Sequence, residues 1–281
     1  MARTNSKLER MIVIGGVAAG MSAASKARRL KPGSEILVFQ KEKYVSYSSC
    51  GLPYFVSGMV KSPQDLVAYE AHFFRERRNI EVFLSHEVMA IDPAGRSVLV
   101  KNLETAREQV HHYDKLMIGT GARAQMPPVK GIDLKGVFPV RTLDDGIMIR
   151  QFIRDRSPRR ALIIGAGYIG MEMAEALVKS GLEVTVVEMR PSILGTMDDE
   201  ISGMVEDELR NHGVRLAKSV SVQELGGEHG FISRVTFERG QLLEFDLVIV
   251  STGVRPNTEI AEKAGIALGV RGAIRVNEHM E

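Results

Sequence analysis

Apolar and polar segments alternate in the same way in two stretches of the chain. Residues 11–40 read as an apolar β-rich run, a glycine turn, an alanine-rich helical stretch, a Pro-Gly break and a second β run. Residues 161–189 repeat this plan with an offset of 150 residues, so that Gly15 matches Gly165 and Gly20 matches Gly170. Each stretch predicts a βαβ unit, and together they predict an α/β protein.

The second stretch carries a complete dinucleotide-binding pattern. Gly165-x-Gly167-x-x-Gly170 follows the strand, where such glycines permit a tight turn and let a pyrophosphate approach a helix N-terminus. Glu188 ends the next strand, in position to accept hydrogen bonds from ribose hydroxyls. A carboxylate at this position favours NADH over NADPH, and Arg190 close behind it weakens that preference.

The first stretch departs from this pattern at two positions. Val17 stands where the middle glycine belongs, and Gln40 stands where the acid belongs. A plain glycine turn between a strand and a helix is therefore an alternative interpretation. The match to the second stretch favours dinucleotide binding, so we expect two Rossmann-like domains that hold a flavin and a nicotinamide dinucleotide.

Two further apolar strands predict how these domains are connected. Residues 113–123 and 245–257 each form an apolar run closed by Thr-Gly, one before and one after the second βαβ unit. We interpret them as the points where the chain leaves the first domain and returns, so that the second domain is inserted into the first. The expected limits are 1–121 for the first segment of an FAD-binding domain, 122–248 for an NAD(P)H-binding domain and 249–281 for the returning segment. An antiparallel ribbon is expected over 80–100, and a helix near 143–154.

Composition narrows the possible functions. The net charge is +2, and the Lys and Arg residues are spread along the chain, which argues against a nucleic-acid partner. No apolar run approaches the ~20 residues of a membrane span, and one cysteine cannot form an internal disulfide, so we expect a cytoplasmic protein. His111 and His112 are interpreted as loop residues, and no metal site is predicted.

The single cysteine lies in the segment YVSYSSCGLPYFVSG, residues 44–58. Gly51 and Pro53 indicate that a helix begins there, and the positive end of a helix stabilises the thiolate that attacks disulfides. The alternative is a buried hydrophobic thiol, the commoner role of a free cysteine. Ser46, Ser48 and Ser49 around Cys50 argue against an apolar surrounding.

SYSSCGLPYFVSG and the opening IGGVAAGMSAASKARR resemble the coenzyme A-disulfide reductases, a single-cysteine branch of the FAD- and NAD(P)H-dependent pyridine nucleotide-disulfide oxidoreductases. The resemblance covers essentially the whole chain. It implies that hydride passes from NAD(P)H via the flavin to a disulfide, most readily coenzyme A disulfide or a coenzyme A persulfide, with Cys50 as the catalytic residue. Two alternatives stay open: an NADH oxidase or peroxidase that uses a Cys50 sulfenic acid, and a truncated, non-catalytic nucleotide-binding module.

The same resemblance implies which residues form the sites. Those for FAD are Gly15, Val17, Ala18, Gly20, Gln40, Lys41, Thr120 and Gly121. Those for NAD(P)H are Gly165, Gly167, Tyr168, Ile169, Gly170, Glu172, Glu188 and Gly253, with Tyr168 gating the nicotinamide face of the flavin and Glu172 near the nicotinamide end. Those for coenzyme A are Ser22, Lys26, Arg29, Ser46, Ser49 and Arg78.

The resemblance also implies an expectation about the C-terminus. In relatives, a segment similar to RGAIRVNEHME leads into a second FAD-contacting stretch and then into a domain that forms a homodimer. The sequence ends at Glu281, so we expect the dimerisation domain to be absent. Weak flavin retention and little disulfide reductase activity are expected for this chain alone.

Overall fold

The computed structural model describes residues 8–281. The strands, in chain order, are β1 (Arg10–Ile14), β2 (Glu35–Phe39), β3 (Glu81–Phe83), β4 (His86–Asp92), β5 (Ser97–Asn102), β6 (Glu108–His112), β7 (Lys115–Ile118), β8 (Ala122–Ala124), β9 (Val137–Pro139), β10 (Arg160–Ile164), β11 (Glu183–Glu188), β12 (Arg215–Lys218), β13 (Val222–Glu228), β14 (Phe231–Phe237), β15 (Leu242–Glu244), β16 (Leu247–Val250) and β17 (Val254–Pro256). The helices are α1 (Ala18–Leu30), α2 (Leu52–Val56), α3 (Ala71–Arg78), α4 (Leu143–Arg156), α5 (Tyr168–Lys179), α6 (Asp199–Asn211) and α7 (Glu259–Lys263). Short 3₁₀ turns cover Ser49–Gly51, Pro63–Leu66 and Val270–Gly272.

These elements form two compact units. The first contains the described residues up to Ser48, together with Val67–Arg123 and Arg255–Glu281, and the second contains Ser49–Leu66 and Ala124–Val254. The predicted α/β class and the insertion of the second domain into the first are confirmed. The expected limits differ from the observed ones. Ser49–Leu66, expected within the first segment 1–121, belong to the second unit. The chain returns to the first unit after Val254 and not after residue 248, because β16 pairs with β10 inside the second unit.

The first unit is built on a parallel sheet with strand order β3-β2-β1-β7. Its strands alternate their side chains between two faces. One face packs against α1 and α3 through a cluster that includes Val13, Met21 and Phe74. The other packs against the antiparallel sheet β4-β5-β6 through a cluster that includes Phe39 and Val98. This antiparallel sheet confirms the predicted ribbon from His86 onward. The start of the predicted range is wrong, because Glu81–Phe83 form β3, which pairs in parallel with β2.

The prediction that His111 and His112 lie in a loop is wrong. Both belong to β6, which pairs with β5. The His111 ring lies 4.9 Å from that of Phe39, and burial together with the nearby Arg10 and His86 lowers the pKa of His111. The strand forms because β5 offers it a complete antiparallel register, which local sequence does not reveal.

The second unit repeats the parallel arrangement with strand order β12-β11-β10-β16-β9. The antiparallel sheet β13-β14-β15 packs against it through a core that includes Leu162, Val235 and Val248. The helix predicted near 143–154 is confirmed as α4, whose N-terminus carries a capping box between Thr142 and Asp145. Within residues 8–281, no helix combines the length and apolar character needed to cross a membrane.

The segment that contains Cys50 is fixed to α4 inside the second unit. Gly146 of α4 allows a close approach, since a Cβ there would lie 2.8 Å from Leu52 Cδ2. The Arg150 guanidinium lies 4.5 Å from the Phe55 ring centroid and donates hydrogen bonds of 2.9 Å to the carbonyl oxygens of Val60 and Lys61. One side chain of α4 therefore holds both α2 and the chain that follows it.

Replacing this arginine should loosen the segment. In Arg150→Met, the two carbonyl groups lose a charged donor, a type of bond worth about 1.5–3 kcal/mol. We expect trypsin to cleave after Lys61 about tenfold faster, as measured by mass spectrometry of timed digests. Arg154→Met is the matched control, because Arg154 is exposed on the same helix and binds the adjacent Asp155. Equal cleavage rates in the two variants would contradict this role of Arg150.

Candidate functional site

The first and third glycines of the two glycine turns, after β1 and after β10, are required by backbone packing. Gly15 has a φ of +98°, and a Cβ on it would lie 2.1 Å from the Gly119 carbonyl oxygen. A Cβ on Gly20 would lie 1.7 Å from the Gly15 carbonyl oxygen, and one on Gly170 would lie 2.2 Å from that of Gly165. No side chain fits at such distances, so these glycines bring each helix directly against the preceding strand end.

The middle position differs between the two turns. A Cβ on Gly167 would have no neighbouring atom within 4 Å, so the protein itself does not require glycine there. Gly167 is the N-cap of α5, and no side chain caps that helix, which leaves space and backbone N–H groups for a pyrophosphate. Val17 is the N-cap of α1, likewise without a side-chain cap. The residues of both turns thus fit a dinucleotide phosphate.

In each βαβ unit, the side chain at the end of the second strand (β2 or β11) supports the glycine turn that follows the first strand. Gln40 is buried, and its Oε1 accepts a 2.7 Å hydrogen bond from the Gly16 N–H. Glu188 Oε2 accepts a 2.9 Å bond from the Ala166 N–H, in the matching position. The other Glu188 oxygen accepts a 3.0 Å bond from the Arg190 N–H. The two side chains share a structural role, but only Glu188 also places a carboxylate there.

The other predicted NAD(P)H residues lie around the start of α5 and the end of β16. Tyr168 is exposed, and its hydroxyl lies 3.1 Å from Thr196 Oγ1. Ile169 is partly buried, while Glu172 is exposed one turn into the helix. Gly253 is exposed in the loop between β16 and β17. Glu172 also lines a small pocket with Pro53 and Tyr54 of α2, the helix that follows Cys50.

The remaining predicted FAD residues lie at strand ends of the first unit and at the start of α1. Ala18, the first residue of α1, and Lys41 are both exposed, and Lys41 Nζ donates a 2.8 Å bond to Glu87. Thr120 Oγ1 donates to the Asn257 carbonyl oxygen at 2.5 Å, and the Asn257 N–H donates to the Gly121 carbonyl oxygen at 3.0 Å. These bonds fix the leaving segment to the returning segment within the first unit.

A cavity of about 450 Å³ in the first unit gathers residues predicted for coenzyme A. The predicted residues that line it are Ser22, Arg29, Ser46 and Arg78. Arg78 is partly buried, and its Nη1 donates a 2.9 Å bond to Ser25 Oγ. The guanidinium also lies 5.5–5.8 Å from the ring centroids of Tyr69, Phe73 and Phe74, so the cation is held in a fixed orientation.

Two predicted residues lie outside this cavity, and several residues that line it were not predicted. Lys26 is exposed on α1 and does not line the cavity, and Ser49 begins the 3₁₀ turn of the second unit. Ser25 and Tyr69 line the cavity but were not predicted. Ser25 follows Ser22 by three residues on α1, a spacing that places both on one helix face and would have identified it.

Cys50 is exposed in the 3₁₀ turn that leads directly into α2. Pro53 occupies the first turn of that helix, as the sequence predicted. The alternative interpretation of Cys50 as a buried hydrophobic residue is therefore wrong. Over residues 8–281, no group of three or more His, Cys, Asp or Glu side chains is arranged to hold a metal ion.

Known proteins match the chain over nearly all of its length. The family model described as pyridine nucleotide-disulphide oxidoreductase matches residues 9–281. The chain is 36% identical to the NADH oxidase of Methanocaldococcus jannaschii over 97% of its length, and 34% identical to the coenzyme A disulfide reductase of Staphylococcus haemolyticus over 98%. It spans 60% of each of these curated relatives. The structure of an NAD-dependent persulfide reductase from A. fulgidus matches with a TM-score of 0.93 and 36% identity, covering 97% of this chain and 51% of that one.

The open middle position of the second turn gives a direct test of nucleotide binding. In Gly167→Val the side chain should occupy the space that a pyrophosphate needs, raising the Kd for NADH about tenfold or more. Stability should change by less than about 0.5 kcal/mol, because a Cβ there meets no other atom within 4 Å. Titration of intrinsic NADH fluorescence measures the first quantity and thermal unfolding the second.

Gly203→Val is the matched control for this variant. A Cβ on Gly203 of α6 also has no neighbour within 4 Å, and that helix is not part of the turn. Its affinity for NADH should equal that of the wild type. NADH binding that is unchanged in Gly167→Val would show that the turn does not hold this dinucleotide.

Proposed function

The chain belongs to the pyridine nucleotide-disulphide oxidoreductase family, and from this premise we propose that it is an NAD(P)H- and FAD-dependent oxidoreductase that reduces a disulfide or persulfide of coenzyme A through Cys50. The observation that carries the proposal is the exposure of the only cysteine at the start of a helix. An accessible thiol can meet a disulfide from solution, which a buried thiol cannot.

The two glycine turns supply one dinucleotide site each. In the proposal, FAD occupies the first unit, where Gly15 and Gly20 shape the turn and Lys41, Thr120 and Gly121 lie at neighbouring strand ends. NAD(P)H occupies the turn of the second unit. FAD, when bound, supplies the two-electron chemistry that connects a nicotinamide with a sulfur centre. The task of the protein is to bind and orient these groups and to hold the thiolate.

Glu188 supports NADH as the nucleotide of the second unit. Its carboxylate is held at the end of β11 by two backbone N–H groups, where it can accept hydrogen bonds from both ribose hydroxyls. The same charge would repel the 2′-phosphate of NADPH. Arg190 is exposed close by, and its cation reduces this repulsion, so a preference rather than strict selection is expected.

Cys50 is proposed to act by thiol–disulfide exchange. Its thiolate attacks one sulfur of the substrate disulfide, a new S–S bond forms to Cys50, and the second coenzyme A leaves as a thiolate that takes a proton from water. Two electrons derived from NAD(P)H and one proton then release the bound coenzyme A as a thiol and regenerate the Cys50 thiolate. Because residues 1–281 contain no second cysteine, the proposal takes the partner sulfur from the substrate.

The cavity of the first unit supports coenzyme A as the substrate group. Coenzyme A carries phosphates at its adenosine end, and Arg29 and Arg78 place two guanidinium groups on the cavity wall. A planar guanidinium binds phosphate through paired N–H donors. Ser22 and Ser46 add hydroxyl groups to the same wall. The ring cluster around Arg78 leaves Tyr69 partly accessible, as a stacking surface for the adenine would require.

An NADH oxidase or peroxidase is the second candidate function. It is favoured by the NADH oxidase of Methanocaldococcus jannaschii among the relatives and by the exposure of Cys50, since an accessible thiolate can be oxidised to sulfenic acid. For either function we expect a cytoplasmic enzyme.

Mass spectrometry after incubation with coenzyme A disulfide tests the proposal. The wild type should gain the mass of one coenzyme A on Cys50, and NADH with added FAD should remove it. Cys50→Ser should gain nothing. If Cys50 instead gains only oxygen atoms when peroxide is added, the second candidate function is correct. If Cys50 shows neither reaction, the chain is a nucleotide-binding module without this redox chemistry.

The same experiment tests the cavity through a matched pair of arginines. Arg78→Met should slow adduct formation about tenfold at limiting coenzyme A disulfide, because one phosphate loses a charged bidentate partner. Arg77→Met changes the adjacent residue of α3, which is exposed and does not line the cavity, and should leave the rate unchanged. Equal rates in both variants would exclude the cavity as the coenzyme A site.

A further inference from the structure

The turn of the first unit lacks the carboxylate that the second unit has. Gln40 is 5% exposed, and its amide has one acceptor oxygen. That oxygen accepts the 2.7 Å bond from the Gly16 N–H. Gln40 thus supports the glycine turn of the first unit as Glu188 does in the second. Glu188 also offers a negatively charged acceptor for a ribose diol, and in the first unit a different residue must supply that charge.

Glu42 brings a carboxylate to the same place. It lies just beyond the end of β2 and is partly buried. Its Oε2 accepts a 2.8 Å bond from the hydroxyl of Tyr47, a residue that is 6% exposed. Gln40 Nε2 lies 3.4 Å from the same oxygen. The carboxylate is therefore oriented by a buried tyrosine and touches the amide whose other end supports the turn.

The backbone also keeps Glu42 at this end of the sheet. Its carbonyl oxygen accepts a 3.2 Å bond from the Ser85 N–H, and the Gln40 carbonyl oxygen accepts a 2.9 Å bond from the His86 N–H. The link between β3 and β4 thus holds the two positions in a fixed relation to each other. The cations near Glu42 along the chain are the exposed Lys41 and Lys43, and Lys41 is bonded to Glu87.

We propose that Glu42 is the carboxylate that accepts the adenosine ribose hydroxyls of the dinucleotide in the first unit, while Gln40 supports the turn. This inference rests on the proposed function, in which that dinucleotide is FAD. A carboxylate has about four acceptor sites, so Glu42 accepts bonds from a ribose diol while it keeps the bond from Tyr47. Two side chains in the first unit then share what Glu188 does alone in the second.

Binding of FAD to single and double variants tests this division. The Kd for FAD is measured from the quenching of FAD fluorescence as protein is added to a fixed, limiting concentration of FAD. Glu42→Gln keeps the shape of the side chain but removes its charge, and it should weaken FAD binding about tenfold, the usual effect of losing a charged hydrogen-bond acceptor. Adding Gln40→Glu to this variant returns a carboxylate to the usual position and should restore most of the affinity.

Two controls separate a direct contact from a general loss of structure. Glu81→Gln removes a carboxylate from the opposite end of the same sheet, where Glu81 bonds to Arg75 at 3.0 Å, and should leave the Kd for FAD unchanged. NADH binding in the second unit should be the same in Glu42→Gln as in the wild type. Glu188→Gln should show the reverse pattern, with weaker NADH binding and unchanged FAD binding.

An FAD analogue that carries 2′-deoxyadenosine gives the decisive comparison. The wild type should bind this analogue about tenfold more weakly than FAD, and Glu42→Gln should bind both with similar affinity. If Glu42→Gln discriminates as strongly as the wild type, or binds FAD as tightly, the inference about Glu42 is wrong while the proposed function stands. If the wild type binds no FAD, the proposed function is overturned and this inference with it.

Discussion

The arrangement of both units depends on one close backbone contact, in which the third glycine of each turn lies against the carbonyl oxygen of the first. A Cβ would come within 1.7 Å of that oxygen at Gly20 and within 2.2 Å at Gly170, so any larger residue would push the helix away from the sheet. The contact places the N-termini of α1 and α5 at the ends of β1 and β10. Backbone N–H groups and the helix dipole are then directed at the position where a nucleotide phosphate would bind.

On this shared framework the two copies carry different side chains at the positions that a ligand would meet. Gly167 leaves open space in the second unit, whereas Val17 in the first contributes its side chain to the cavity that contains Arg78. Glu188 combines support of its turn with a negative charge, and in the first unit Gln40 and Glu42 divide these properties. The scaffold is thus duplicated, while the recognition chemistry is specific to each copy. Such divergence is what two different dinucleotides would require.

Much of the fold could be predicted because it is encoded locally. The βαβ pattern, the helix α4 and the antiparallel ribbon each follow from spacing within about 30 residues, and the paired Thr-Gly strand ends revealed the insertion.

Features that depend on distant side chains could not be predicted. Arg150 fixes the segment after Cys50 across 90 residues, and Arg78 meets Ser25 across 53. The strand that contains His111 was missed for the same reason, since β5 and not the local sequence makes it a strand. The role of Gln40 in supporting the turn became visible only from its bond to Gly16.

The central claim is that electrons from a nicotinamide reach the sulfur of Cys50 through a flavin held by this chain. The most direct measurement is the visible absorption spectrum of the FAD-reconstituted protein during anaerobic titration with NADH. The account predicts that, when Cys50 starts as its mixed disulfide with coenzyme A, the first two electrons from NADH give a long-wavelength charge-transfer band, the signature of a thiolate beside oxidised flavin. Further NADH then bleaches the flavin bands and removes this band. In Cys50→Ser the flavin bands bleach without the charge-transfer band appearing. Identical spectra for the two proteins throughout the titration would contradict it.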